Sequence, residues 1–211
     1  DYFKYQGLVI YTGRQGQGKT VAMVRDIMMM QKEYPRAKCI TNLSYEYEDG
    51  ALTNWRQLIN YKNGIYGVIV GLDEIQNWFS SKQSKDFPPE MFEVVTQNRK
   101  NRRIITATTQ NFYQPAKDIR AQCTEVRKCM TLLGVFTIVH AVRPILDSNG
   151  EVQQWKHIRF YCFVHDKEIR DSYDTYKVIE SLMKSGFYNR NEKDGDTNIY
   201  VIPDKKKRRK W

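Results

Sequence analysis

Eight consecutive residues, Gly13-Arg14-Gln15-Gly16-Gln17-Gly18-Lys19-Thr20, fit the pattern G-x-x-x-x-G-K-[ST] without a mismatch. The pattern constrains the fold because it works in one setting, a strand before it and a helix after it. Both are legible. Residues 8–12, Leu-Val-Ile-Tyr-Thr, form the continuous run of a strand covered on both faces, and Thr20–Met30 reads as a helix. Glycines at 13, 16 and 18 tolerate positive φ and let the backbone approach a phosphate. Backbone N–H groups then converge on its oxygens, aided by the positive end of the helix. Lys19 supplies a point charge to the β- and γ-phosphates, and the Thr20 hydroxyl is a ligand for Mg²⁺. The expectation is that Gly13 to Thr20 bind a nucleotide, with ATP and Mg²⁺ as cofactors.

The other half of such a site needs acid at the end of an apolar strand, and Val68-Ile69-Val70-Gly71-Leu72-Asp73-Glu74 supplies two. Burying a carboxylate requires a cation or hydrogen-bond donors. Asp73 is therefore expected to hold Mg²⁺ through its water shell, and Glu74 to orient and deprotonate an attacking water; the bland alternative is an exposed acidic turn. The next strand, Arg103–Thr109, ends in Thr108-Thr109-Gln110, which makes Gln110 a γ-phosphate sensor. A cation from a neighbouring subunit is the remaining catalytic part. Arg99 is the first choice for it and Arg120 the second; each reads equally as a surface cation.

Further strands are predicted at Lys38–Leu43 and Glu125–Leu133, and helical pieces at Trp55–Tyr61, residues 89–100, Ile119–Gln122 and Ser172–Lys184, with a loop at 80–89. Val135–Leu146 and Val152–Val164 are long β runs around Asp147-Ser148-Asn149-Gly150, a hairpin signal. Strands alternating with helices predict an α/β fold of the RecA-like P-loop ATPase type. Its central sheet is mainly parallel, flanked by helices, with an antiparallel hairpin extension at about 134–166. Residues 1–187 form this domain and 188–211 an extended basic tail or linker.

No run of about 18 apolar residues occurs, so no span is expected in the chain. The four cysteines and three histidines have no metal spacing, which fits a reduced, cytoplasmic setting. The net charge of +10 is concentrated in two clusters. Lys205, Lys206, Lys207, Arg208, Arg209 and Lys210 form one, and Arg99, Lys100, Arg102 and Arg103 the other. Local basicity of this kind suits contact with DNA phosphates, sequence-independent and salt-sensitive; a solvated tail and helix end are the alternative.

Thr12-Gly13 to Gly18-Lys19-Thr20, Ile40-Thr41-Asn42-Leu43, Leu72-Asp73-Glu74 with Trp78-Phe79, Gln97-Asn98-Arg99-Lys100, Asp118-Ile119-Arg120 and Tyr173-Asp174-Thr175 occur in this order. Together they resemble the zonula occludens toxin family, which includes the filamentous-phage assembly ATPases, over roughly residues 7–180. The resemblance implies membership of the FtsK/HerA-like branch, whose members form rings that move DNA. The stretch Asn98-Arg99-Lys100 with Arg103-Ile104-Ile105 is also similar to the DNA-packaging ATPases of small tailed phages, where an arginine in this segment acts across the subunit interface.

The reading that follows is a phage DNA-translocating ATPase for genome packaging, working as a pentameric or hexameric ring in the host cytoplasm against a portal or capsid. The alternative is a membrane-associated assembly or secretion ATPase, held at the host inner membrane by a segment beyond residue 211. A nucleotide-regulated binding protein is a third class. A nucleotide kinase would need an arginine-rich lid, and the hairpin carries only Arg143 and Arg159.

Overall fold

The computed structural model describes residues 2–79, 89–147 and 150–173. The basic tail, residues 174–184 of the expected last helix and residues 80–88 of the expected loop lie outside this set. In chain order the elements are β1 (Gly7–Thr12), α1 (Lys19–Glu33), β2 (Lys38–Thr41), β3 (Gly50–Ala51), α2 (Gln57–Asn60), β4 (Val68–Leu72) and α3 (Pro89–Thr96). They continue with β5 (Arg103–Thr109), α4 (Lys117–Ala121), β6 (Cys123–Leu132), β7 (Phe136–Leu146), β8 (Val152–Val164) and α5 (Lys167–Asp171).

The strands form one sheet in the order β3-β2-β4-β5-β1-β6-β7-β8. All pairings from β3 to β6 are parallel, and β7 is antiparallel to both its neighbours. The fold is thus a mainly parallel α/β sheet with an antiparallel extension, as the alternation of elements predicts. Leu8, Ile10, Val68, Ile69 and Val70 have no solvent exposure because helices cover both faces of these strands. On one face α1 packs Met23 and Ile27 into a cluster with Tyr11, Ile69 and Val139. On the other, Leu58, Val95 and Ile119, from α2, α3 and α4, pack with Ile10, Val70 and Ile105.

Strand β5 lies between β1 and β4, in register through Thr12 opposite Thr109 and Leu72 opposite Ala107. The glycine loop after β1, the end of β5 and the acids after β4 consequently share one edge of the sheet.

The extension is tied to α1 through Asp26. Its Oδ2 accepts from the Tyr11 and Tyr161 hydroxyls, each at 2.8 Å, and from Arg127, while Arg25 pairs with Oδ1 at 3.0 Å. Arg127 also bonds Glu125 at 2.6 Å. A carboxylate and guanidinium taken this far from water hold only because each has several partners.

One expected helix is shorter than the sequence suggests, and one helix is new. The helix expected from 89 to 100 ends at Thr96, and turns follow up to the Arg103 N–H, which bonds Asn98 O at 2.9 Å. Helix α5, which ends before Ser172, has no counterpart in the sequence reading. Asp166 caps it by accepting the Ile169 N–H at 2.7 Å, and the Ser172 hydroxyl bonds back to Ile169 O at 2.8 Å.

Candidate functional site

The loop turns sharply at its glycines: φ is 78° at Gly16 and 71° at Gly18, a conformation that favours residues without Cβ. Gly18 is the N-cap of α1. No side chain caps this end and no acid lies in the first turn, so the N–H groups that face an anion at a helix start are not consumed by a cap. Arg14, Gln15 and Gly16 form the exposed crest. Lys19 is buried, with its ammonium donating to Arg14 O at 3.2 Å.

Behind the loop stands the start of the β-extension. The Gln17 side-chain Oε1 accepts the Thr131 N–H at 3.1 Å, and the Thr131 and Thr137 hydroxyls lie 2.6 Å apart. A Cβ on Gly18 would come within 2.3 Å of Thr131 Oγ1 and 2.6 Å of Thr137 Oγ1. His165 Nε2 extends the chain, 2.6 Å from Thr137 Oγ1.

Opposite the loop, Asp73 Oδ1 accepts two hydroxyls, Thr20 at 3.0 Å and Thr108 at 2.7 Å. The Thr108 oxygen also takes the Glu74 N–H at 2.9 Å. Asn42, just past β2, holds the Asp73 peptide from the other side by a pair of bonds. Glu74 sits at φ 53°, a left-handed turn that re-aims the chain after β4, and its carboxylate accepts from Gln76. Gln110 is exposed just beyond β5, at the same sheet edge. Half-buried Tyr173, beyond α5, has its pKa pushed up to about 12, by burial first and then by the Asp73 charge. Tyr173 therefore lies near the acidic side of the site.

Thr20 and Asp73 offer hard oxygen donors side by side, the chemistry Mg²⁺ takes together with phosphate oxygens. Among the described residues no group of three or more His, Cys, Asp or Glu could hold a metal.

The arginines divide. Arg99 and Lys100 are exposed in the turns before β5, at the sheet end away from the loop. Arg102 lies nearby, 5.3 Å from the Tyr2 ring. Arg103 corrects the expectation of a DNA contact: it is fully buried, donating to Asn98 Oδ1 at 2.8 Å, Leu58 O at 2.6 Å and Val94 O. Burial lowers its pKa to about 10, which leaves it charged at neutral pH. Arg120 is also buried, stacked on Tyr113 and 3.9 Å from Glu151. In this arrangement its guanidinium is not presented to a neighbouring subunit.

Thr108, Asn42, Thr131 and Thr137 are the site residues that sequence reasoning did not single out. Thr108 had a signal in the strand-end Thr-Thr-Gln, and Asn42 one in the family-like stretch Ile40-Thr41-Asn42-Leu43; Thr131 and Thr137 had none.

The sequence profile of the family described as zonular occludens toxin (Zot) matches residues 7–177, which takes in the loop, both acids, the hairpin and α5. The chain belongs to the zonular occludens toxin family. Among solved structures it is similar to the N-terminal domain of zonular occludens toxin from Neisseria meningitidis. The identity is 16% and the TM-score 0.53, with 81% of this chain and 100% of that chain covered. A looser likeness is to the genome packaging NTPase of Sulfolobus turreted icosahedral virus 2, at 18% identity and TM-score 0.46, over 61% of this chain and 76% of that one. Another is to the flagellar accessory protein FlaH of Methanocaldococcus jannaschii, at 13% identity and TM-score 0.44, over 74% and 84% respectively. No curated protein sequence matches significantly. The Zot-family fold here is a RecA-like P-loop α/β fold, and among its described residues no helix is long and apolar enough to cross a membrane.

Proposed function

We propose that this Zot-family chain is a phage ATPase that hydrolyses ATP to translocate DNA during genome packaging. The observation that supports it most is the meeting of Thr20 and Asp73 at 3.0 Å, beside an uncapped helix start and with Glu74 adjacent. A triphosphate would lie against the N–H groups of Gly16 to Thr20, with the Lys19 ammonium exchanging Arg14 O for phosphate oxygens. Mg²⁺, held by Thr20 and by Asp73 through water, would neutralise charge on the β- and γ-phosphates. Glu74 takes the proton of the attacking water, and Gln110 contacts the γ-phosphate. The missing cation is Arg99 of a neighbouring subunit in a pentameric or hexameric ring, in the host cytoplasm. Lys100, Arg102 and the Lys205–Lys210 tail meet DNA phosphates.

Family membership favours a second reading, a membrane-associated assembly ATPase of the filamentous-phage type. An apolar run of about 20 residues encoded downstream of Trp211 would decide for it.

The test is ATP turnover by the full chain with and without DNA, together with Glu74→Gln. Turnover should rise with DNA and be lost in Glu74→Gln, by about 10²-fold or more, while a non-hydrolysable ATP analogue still binds. Turnover indifferent to DNA overturns translocation, and unchanged turnover in Glu74→Gln removes Glu74 from the mechanism.

A further inference from the structure

The face of the β6–β8 extension turned away from α1 carries an aromatic surface that the nucleotide site does not use. The strand registers put Lys128, His140 and Phe160 in one cross-strand rung, Lys128 opposite His140 and His140 opposite Phe160. The His140 and Phe160 rings stack with centroids 4.0 Å apart and planes 20° apart. His157 joins them, its Nδ1 3.0 Å from His140 Nε2. Two rungs of this face further from the loop stands Trp155, opposite Pro144, and the Lys128 ammonium lies 4.2 Å from its ring centroid.

Two properties of this surface point to its ligand. Phe160 is 64% exposed although one side of its ring is already covered by His140, so a π-face is offered to solvent. Folding alone gains little by leaving it there. The charge on this face is also one-sided: neither β7 nor β8 contains an acidic residue, Lys128 is its cation, and Arg159 reaches Glu125 on the opposite, α1 face at 3.5 Å. The one acid of β6, Glu125, points to the α1 face, where it bonds Arg127.

An exposed aromatic ring beside a lysine, on a face of β6–β8 to which no strand carboxylate points, is the chemistry that takes an unpaired base on its π-face and a phosphate on its rim. A duplex cannot use it, because its base faces are stacked on one another. We infer that this face, centred on the Phe160–His140 stack, binds single-stranded nucleic acid without sequence preference. The inference rests on the DNA-moving reading above and adds to it where the strand is held and in which form. The apolar side chains nearer the loop, Met130, Cys162 and Val164, continue the same face and suit contact with bases and sugars.

The experiment is fluorescence anisotropy of the full chain with labelled oligo-thymidine and with a duplex of equal length. Phe160→Ala should weaken oligo-thymidine binding by about ten-fold and Phe160→Trp should preserve it, since stacking and not size is being tested. Lys128→Ala should reduce the slope of log affinity against log salt by about 1. Melting temperature and ATP-analogue binding, unchanged in all three variants, establish that each is folded. Oligo-thymidine binding by Phe160→Ala equal to that of the unaltered chain overturns this inference and leaves the DNA-moving reading standing. A chain that binds neither DNA overturns both. If Phe160→Ala instead lowers the mass of an assembly with DNA affinity unchanged, the face is a contact between copies and the inference is wrong.

Discussion

Asn42 grips the peptide of Asp73 from both sides: its Nδ2 donates to Asp73 O at 3.1 Å and its Oδ1 accepts the Asp73 N–H at 2.7 Å. The metal-side carboxylate is thus aimed by a side chain just past the neighbouring strand, while Thr108 restrains its oxygen directly. Asn42→Ala should cost about 1–3 kcal/mol of stability by unpairing two partly buried backbone groups. Because it tilts Asp73, it should also lower ATP turnover by about 10-fold or more. Thermal melting and steady-state ATPase rates check both, and an unaltered turnover number would show that Asp73 needs no such support.

Gly16 and Gly18 separate two reasons for glycine in the same loop. Both have positive φ, but nothing lies within 4 Å of a Cβ built on Gly16, whereas one on Gly18 meets the paired Thr131 and Thr137 hydroxyls. Gly16→Ala should lower the melting temperature by roughly 3 °C, the cost of a left-handed alanine. Gly18→Ala should lower it by roughly 10 °C, because the clash adds to the strain. Equal shifts in nucleotide-free melts would argue that the threonines do not brace the loop.

Arg103 and Arg99, four residues apart, should behave oppositely. Arg103→Ala leaves Leu58 O, Val94 O and Asn98 Oδ1 without their donor and should cost about 3–5 kcal/mol. Arg99→Ala, at an exposed position, should stay within about 0.5 kcal/mol in stability while reducing turnover if it serves a neighbouring site. Urea denaturation distinguishes the two.

The cysteines should differ in reactivity. Burial, followed by the Asp26 charge, pushes the Cys129 thiol from 9.0 up to about 12, while Cys162 is exposed. Iodoacetamide at pH 8 should label Cys162 and spare Cys129, as read by peptide mass spectrometry. The linkage has a definite sign. The folded pKa is raised, so the contribution of Cys129 to stability is complete below pH 9 and is lost as pH rises from 9 toward 12. Cys129→Ala should flatten the decline of stability over that interval in urea titrations.

Much of this was readable from local pattern. The β-rich run before Gly13, the loop and the α1 periodicity lie within three dozen residues, where short-range sterics and burial decide the outcome. The hairpin of β7 and β8 was equally clear from two β runs around an Asn-Gly turn. Less legible were elements whose ends depend on a cap or a distant partner. Helix α5 starts where Asp166 captures an N–H, and the chain before Arg103 is bent by the hydrogen bond to Asn98.

By itself the sequence determined that a phosphate-type loop follows a buried strand, that two acids end a second strand, and that an antiparallel pair extends the sheet. These follow from backbone chemistry and from hydrophobic periods of two and 3.6, which act over a few residues. Only the tertiary structure decided which cations are free and which are structural, since Arg99 and Arg103 look alike until burial is known. It also decided that β5 separates β1 from β4, which brings Thr108 and Asn42 onto Asp73. Strand order and burial are properties of the packed chain, because they arise from contacts between residues tens of positions apart, and a linear pattern carries no record of them.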